Sequence, residues 1–328
     1  MKIALILTST PLQLFGAVTT ALSDRDTKYH LIYIEQIGSR YHLPLRDWRD
    51  NPFESIDIAL IDKSSIWAKI KSKRVAIEKI FKLVEKIEPH KLIVGNDRKT
   101  EVSATIHRFK SILKIEYLDD GIHSYILERS SIFKYTHLDS FIKWLLYGYR
   151  VNTPKYIGCS EYIDGAYLFK PEFANSCIRR KEVKKLDIEI LKSDRVRGLI
   201  DISDNLTLKD IDIVLILPHR KELNSRILNI LIKKFDNPKV AIKPHPRDNE
   251  STKIFKRAQK ISYIPMEVLT LLIDNSVKIV GFATTALLTA KWLNGDLDIV
   301  SLNFRGSDSR VVELMERSGI RLEEGESF

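Results

Sequence analysis

The sequence predicts an α/β protein built on mainly parallel sheets, and three observations carry that prediction. Short apolar runs alternate with polar loops and helical stretches along most of the 328 residues. The apolar runs are continuous rather than alternating, as in strands covered on both faces. The alternation also stops once and restarts, which divides the chain into two α/β halves.

The first run, Lys2-Ile3-Ala4-Leu5-Ile6-Leu7, is closed by Thr8-Ser9-Thr10-Pro11 and reads as a buried strand over 3–7. It has the superficial look of a secretion signal, but no clean small-residue cleavage site follows it. Further strands are expected over 30–34, 58–61, 91–94 and 112–117, with helices over 13–22, 65–87 and 99–109. From about 130 to 172 the chain is rich in aromatics and loses the alternation, which marks the end of the first domain and a crossing segment. Within that stretch residues 140–150 mix aromatic and basic side chains. They read as a buried helix near the domain junction, with a helix lying on a bilayer surface as the alternative. The second alternation has strands over 213–217, 240–242, 277–280 and 299–302. Its helices are expected over 224–235, 251–259, 267–275, 285–293 and 309–317. The domains are therefore read as 1–155, a crossing segment 156–210, and 211–328. A pair of such units implies a ligand cleft between them, with strand ends carrying the chemistry.

Composition narrows the function. With 44% hydrophobic and 29% charged residues, the chain is neither disordered nor fibrous. No apolar run approaches the roughly 18–20 residues of a membrane-spanning helix. The net charge is +10, but the lysines are scattered through helical segments and no nucleic-acid motif is present. Nucleic acid is thus not an expected partner, whereas an anionic small substrate or an acidic membrane surface is. Cys159 and Cys177 are too few and too isolated for a disulfide framework and fit a reducing cytoplasm.

Three motifs could carry chemistry. In Tyr117-Leu118-Asp119-Asp120-Gly121 an apolar strand ends in two carboxylates and a glycine that permits a sharp turn. Two neighbouring like charges push one pKa upward, which suits a general base for a hydroxyl, although Asp-Asp-Gly alone is also a common turn. In Lys243-Pro244-His245-Pro246-Arg247 two prolines fix the backbone around a histidine flanked by basic residues. That group suits a phosphate, bound or departing. In Gly281-Phe282-Ala283-Thr284-Thr285 a strand meets two threonines that open an apolar helix, which is either an ordinary N-cap or an anion site. Glu267, in the first turn of another helix, complements the helix dipole or holds a ribose. Thr10 and Gln13 after the first strand, and Asn96 after the strand at 91–94, are expected to line the same cleft as Gly121.

Taken in this order the motifs resemble those of the bacterial sialyltransferases and polysialyltransferases: Asp119-Asp120-Gly121 for the acidic motif, His245-Pro246 for the His-Pro motif, and Thr284-Thr285 for the Ser/Thr pair. Thr10-Pro11-Leu12-Gln13 is similar to the loop after the first strand in some members. A Thr-Thr pair where serines are frequent departs mildly from the pattern but keeps the hydroxyls. The resemblance implies the GT-B fold, two Rossmann-like domains facing a central cleft. It also implies an inverting, metal-independent transfer of sialic acid from CMP-sialic acid to a glycan hydroxyl, in capsule or lipooligosaccharide synthesis. By that match Asp119 is the base and Asp120 its electrostatic neighbour, or the reverse. His245, Thr284 and Thr285 hold the CMP phosphate with Lys243, Pro246 and Arg247 beside them, and Glu267 holds the ribose. Domain closure would then bring base and phosphate site together and exclude water.

No metal or other cofactor is expected. The Asp-x-Asp spacings at Asp24, Asp210 and Asp296 read as solvated turn acids, and a single-phosphate leaving group has little need of a divalent ion. The expected partners are the donor, a glycan acceptor and an anionic membrane surface, with the protein cytoplasmic and peripheral at the inner face of the plasma membrane. Three other readings stay open. One is a polyol-phosphate transferase using CDP-glycerol, for which His123 is the histidine placed to act. Another is a transferase using CMP-Kdo, and the third is a non-catalytic nucleotide- or sugar-binding protein at the membrane.

Overall fold

A computed structural model describes residues 1–37, 45–127, 136–202, 210–220, 223–245, 248, 251–261, 264–304 and 308–325. The continuous apolar runs become parallel strands covered on both faces, and Leu5, Ile6, Leu31, Ile93 and Ile115 have no exposed surface. The first sheet contains β1 (Lys2–Thr8), β2 (Thr27–Gln36), β3 (Ser55–Ile61), β4 (Lys91–Val94), β5 (Lys114–Leu118), β6 (Gly165–Leu168) and β7 (Glu182–Lys185). Its order is β3-β2-β1-β4-β5-β6-β7, with every pairing parallel. The crossovers among its first five strands are α1 (Pro11–Ser23), α2 (Ile66–Ile87) and α3 (Thr100–Phe109). After β5 come α4 (Thr136–Tyr147) and, beyond β7, α5 (Asp194–Ile202).

The second sheet contains β8 (Ile213–Ile216), β9 (Val240–Lys243), β10 (Gln259–Lys260), β11 (Lys278–Phe282), β12 (Ile299–Asn303) and β13 (Arg321–Glu324). Its order, β10-β9-β8-β11-β12-β13, repeats that of the first sheet without the seventh strand, again all parallel. Both are the doubly wound arrangement, in which the strand order reverses beside the first strand of each unit. The helices here are α6 (Ser225–Phe235), α7 (Met266–Leu272), α8 (Thr285–Leu293) and α9 (Ser309–Arg317). Leu215, Ile242, Phe255, Val280 and Val300 form the heart of this core.

The structure departs from the sequence reading at several places. Residues 156–199, expected as part of a crossing segment, contribute β6 and β7 to the first sheet, and the first compact unit runs to Leu199. The segment 251–259, expected as a helix, is one 3₁₀ turn (Ser251–Ile254) followed by the short strand β10. Helix α4, expected to be buried, exposes Phe141 by 52% and Leu145 by 58%. Cys159 and Cys177, expected to be isolated, are joined by a disulfide with Cα atoms 5.8 Å apart. The cysteines therefore give no support to the argument for a reducing compartment.

Candidate functional site

In the first unit the ends of three neighbouring strands, β1, β4 and β5, each deliver one polar side chain to a common point. Thr10 is the N-cap of α1, its Oγ1 accepting from Gln13 N–H at 3.3 Å, with Pro11 opening the helix. Gln13 is completely buried, and its Oε1 accepts from Ser9 N–H at 2.8 Å and from the Ser9 hydroxyl at 3.0 Å. Its orientation is thereby fixed, and Nε2 donates to Oδ1 of Asp120. Asn96, just past β4, donates from Nδ2 to Oδ2 of the same carboxylate at 2.7 Å. Thr10, expected to line the site, thus serves as a cap, whereas Gln13 and Asn96 do reach the acidic motif.

The two acids have different surroundings. Asp119 has no exposed surface, and four donors converge on it. Oδ1 accepts from Gly121 N–H at 2.9 Å and from the Ser124 hydroxyl at 2.8 Å. Oδ2 accepts from Phe169 N–H at 3.0 Å and from the Tyr125 hydroxyl. Asp119 therefore ties the 3₁₀ turn after β5 to the end of β6. Gly121 opens that turn at φ +70°, a left-handed conformation that explains the glycine. Asp120, by contrast, keeps part of its surface accessible, and its carboxylate accepts from the two carboxamides. His123, in the same 3₁₀ turn, accepts at its backbone carbonyl from Asn175 Nδ2 at 3.2 Å.

Burial raises the proton affinity of both acids. It lifts Asp119 to about 6 against its four hydrogen bonds. It also holds Asp120 above the ordinary carboxylate range, opposed first by the charge of Lys99 and then by Gln13 and Asn96. Burial in turn draws Lys99 below the usual lysine value, while Glu101 and Asp120 favour its charged form. Glu101 is itself nearly buried. Burial alone would raise it, but Lys73, 3.0 Å away, and Lys99 hold it below its usual range. An accessible carboxylate with raised proton affinity, fixed by two amide donors beside a cation, suits removal of a proton from a hydroxyl.

Another buried acid in this unit, Asp97, accepts from the N–H groups of Gly158 at 2.9 Å and Ser160 at 3.0 Å. Burial pushes it up to about 6. Its partners flank Cys159, so the disulfide and Asp97 fix the same loop beside the turn that carries Asn96.

In the second unit the candidate residues again gather at the carboxyl ends of β8, β9 and β11, on either side of the point where the strand order reverses. Lys243 ends β9 and is 4% exposed; burial lowers it to about 8 against the charge of Glu267. Burial also raises Glu267, against Lys243, so the two acid–base groups singled out in the sequence are electrostatic neighbours. His245 packs edge-to-face on His219, with ring centroids 5.2 Å apart. Asp248 joins the two loops, its Oδ2 accepting from Arg220 N–H at 2.8 Å and its N–H donating to the His245 carbonyl at 2.9 Å. Thr284 is the N-cap of α8 but makes no capping bond with its side chain, and its buried hydroxyl has no hydrogen-bond partner among the described residues. Thr285 opens that helix, whose free N–H groups favour an anion. Pro246 and Arg247 lie outside the described residues.

Lys99 and His219 are among the residues of these clusters that were not singled out in the sequence. Lys99 looks like one more scattered surface lysine, and no pattern reveals that it is drawn in beside Asp120. His219 did carry a signal: Pro218-His219-Arg220 follows the apolar run of β8 much as Pro244-His245-Pro246-Arg247 follows β9.

The chain is similar over its whole length to UDP-GlcNAc 2-epimerase from Methanocaldococcus jannaschii. Identity is 13%, coverage 99% of this chain and 89% of the other, and the TM-score 0.58. The glycosyltransferase SnogD from Streptomyces nogalater is similar at 9% identity, with 100% and 88% of the chains covered and a TM-score of 0.56. UGT89C1 from Arabidopsis thaliana, complexed with UDP-L-rhamnose, is similar at 10% identity, with 99% and 86% covered and a TM-score of 0.56. At these identities the likeness shows the fold, the GT-B class of two parallel-sheet α/β domains. No curated protein matches the chain. The profile of the alpha-2,8-polysialyltransferase family matches residues 37–303, a span that contains the acidic motif, the His-Pro motif and the threonine pair. The chain is therefore a glycosyltransferase of the sialyl-transferring type and belongs to the alpha-2,8-polysialyltransferase family.

Proposed function

We propose that this protein transfers sialic acid from CMP-sialic acid to a hydroxyl of a glycan acceptor, with inversion and without a metal ion. The observation that carries the reading is Asp120, an accessible carboxylate of raised proton affinity held between Gln13 and Asn96. In this mechanism Asp120 accepts the proton of the acceptor hydroxyl as its oxygen attacks the anomeric carbon of the donor. The bond from that carbon to the CMP phosphate breaks, and the electron pair leaves with the phosphate. Lys243, His245 and the Thr284 hydroxyl at the start of α8 take up the developing charge. Attack opposite the leaving group inverts the anomeric centre.

Asp119 serves here as the anchor that sets Asp120, because all of its acceptor capacity is used within the fold. Metal independence follows from the proposed leaving group: one phosphate is met by an ammonium, an imidazole and a hydroxyl. Glu267, beside Lys243, is proposed to contact the ribose. The name of the matching family extends the proposal to an α2,8 linkage on a sialylated acceptor, as in capsule or lipooligosaccharide synthesis. Peripheral attachment at the inner face of the plasma membrane belongs to the same proposal.

The test is CMP release from CMP-sialic acid in the presence of EDTA, with and without an oligosialic acid acceptor. Release that needs the acceptor, survives EDTA and disappears in Asp120→Asn is the expected result. Consumption of CDP-glycerol or CMP-Kdo in place of CMP-sialic acid would overturn the donor assignment, and loss of activity in EDTA would overturn the metal-free mechanism.

A further inference from the structure

The first unit carries an apolar and basic face that its own fold leaves uncovered. A surface helix normally turns its apolar stripe inward. In α4 the consecutive pairs Phe141–Ile142 and Trp144–Leu145, together with Leu146, are all exposed, between 38% and 58%. Neighbouring α2 adds Ile66, Trp67 and Val75, exposed by 76%, 78% and 58%. These two helices hold eight of the twelve exposed large hydrophobic side chains among the described residues. The helices are latched together: Arg74 Nε donates to the Leu146 carbonyl at 3.0 Å, and Lys73 Nζ lies 5.8 Å from the centre of the Tyr147 ring. The exposed apolar groups therefore sit on two helices held side by side in this unit. A patch of this kind on a soluble domain marks an interaction site.

The charge on the same surface says what it meets. Helix α2 carries seven lysines and arginines against two glutamates. Helical periodicity sets Trp67, Lys71, Arg74 and Val75 along one stripe, two basic groups flanked by two apolar ones. At the far side of α4 a cavity of about 430 Å³ is walled by Phe141 and Trp144 and edged by His107 and Arg150. The His107 Nδ1 there is buried without a hydrogen-bond partner. Tryptophan and leucine side chains interleaved with lysine and arginine are the composition that settles at an anionic lipid interface. There the apolar groups enter the acyl boundary and the cations meet headgroup phosphates. No helix among the described residues is long and apolar enough to cross a membrane, so contact through this face would be lateral.

We propose that the α2–α4 face of the first unit is a docking surface for an anionic lipid bilayer. The inference deepens the membrane attachment within the functional proposal by assigning its surface, and it does not depend on the transfer chemistry. The experiment is sedimentation of the full chain with vesicles of phosphatidylcholine, alone or mixed with phosphatidylglycerol, at low and high salt. A double variant, Trp67→Glu with Leu145→Glu, is run beside it, along with a charge variant on the same stripe, Lys71→Glu. Circular dichroism melting establishes that each variant is folded.

The expected result is binding to the anionic vesicles only, weakened by salt and lowered at least about tenfold in both variants. Equal binding by wild type and variants, or none to anionic vesicles, would overturn the proposal. So would a dimer in light scattering that the Trp67/Leu145 variant converts to monomer, because the face would then belong to a second copy. CMP release with a soluble acceptor reads the transfer activity separately, and neither outcome on vesicles bears on it.

Discussion

The side chain of Gln13 occupies the space that any side chain at position 95 would need: a Cβ on Gly95 would lie 2.1 Å from Gln13 Cδ. The two residues come from different strand ends, α1 following β1 and the turn following β4. Their fit decides where the Asp120 carboxylate sits. Gly95→Ala is expected to push the Gln13 carboxamide off Asp120 while the buried strands keep the unit folded. Displacement of about 1 Å at a reacting group costs on the order of 100-fold in rate. The measurement is kcat for CMP release alongside thermal melting; an unchanged kcat would refute this role for Gln13.

The two aspartates should separate by the kind of damage their loss does. Asp119→Asn sets an NH2 group against donors that need an acceptor, and this is expected to lower stability by about 1–3 kcal/mol in urea unfolding. Asp120→Asn is expected to leave stability close to wild type and to lower kcat by roughly 100- to 10,000-fold. If Asp119→Asn were as stable as wild type and inactive, the roles of base and anchor would be exchanged.

The acid limb of the pH–rate profile should report Asp120. A base must be deprotonated to act, so activity rises with pH through its pKa, and burial places that limb above the ordinary carboxylate range. The positive charge of Lys99 lowers the pKa of Asp120. Lys99→Gln removes it and should move the limb to higher pH. A limb that stayed in place in Lys99→Gln would mean that another group titrates.

Donor affinity should fall on the alkaline side for a separate reason. Burial brings Lys243 down to about 8, so it loses its proton, and with it its attraction for a phosphate, as pH rises through that value. CMP titrations followed by calorimetry between pH 6 and pH 9 should show weakening centred at about 8 in the wild type. In Lys243→Gln the affinity should be lower throughout, and this alkaline step should be gone.

The Thr284 hydroxyl offers a test in which stability and binding part company. It is buried and unpartnered, so Thr284→Val removes a polar group that gains nothing within the fold. Stability should be unchanged or slightly raised. If the hydroxyl meets the CMP phosphate, donor KM should rise roughly 10- to 100-fold, the worth of a hydrogen bond to a charged group. A variant with an unaltered donor KM would remove Thr284 from the phosphate site. His219→Ala is a companion variant: loss of the ring packed on His245 should raise donor KM with less effect on stability than a core substitution.

Much of this arrangement is legible in the sequence because parallel strands covered on both faces need continuous apolar runs. The helices over 99–109 and 285–293 and the strand over 91–94 correspond closely to α3, α8 and β4. The strands that were not legible are edge or near-edge ones. β7 is Glu182-Val183-Lys184-Lys185 and β13 is Arg321-Leu322-Glu323-Glu324, each exposed at both ends and without an apolar run to announce it. β10 has two residues and is recognisable only through its pairing with β9. The exposure of α4 was equally hidden, because an apolar helix reads as buried until its neighbours are known. The disulfide was hidden too, since 18 residues of sequence separation do not reveal that two Cα atoms lie 5.8 Å apart.

By itself the sequence determined two α/β units and the three motifs at their strand ends, because apolar periodicity and the Gly, Pro and Thr punctuation act over a few residues. Tertiary structure decided what surrounds each motif residue. Asp119 and Asp120 are adjacent and chemically identical in the chain. The alternation of side chains at a strand's end sends one inward to four donors and leaves the other accessible between Gln13 and Asn96. Lys99 and His219 likewise gain their roles only when Asp120 and His245 are folded against them. Proton affinity depends on burial and on charges a few ångströms away, and those distances are set by which strands pair, a property no local stretch of residues contains.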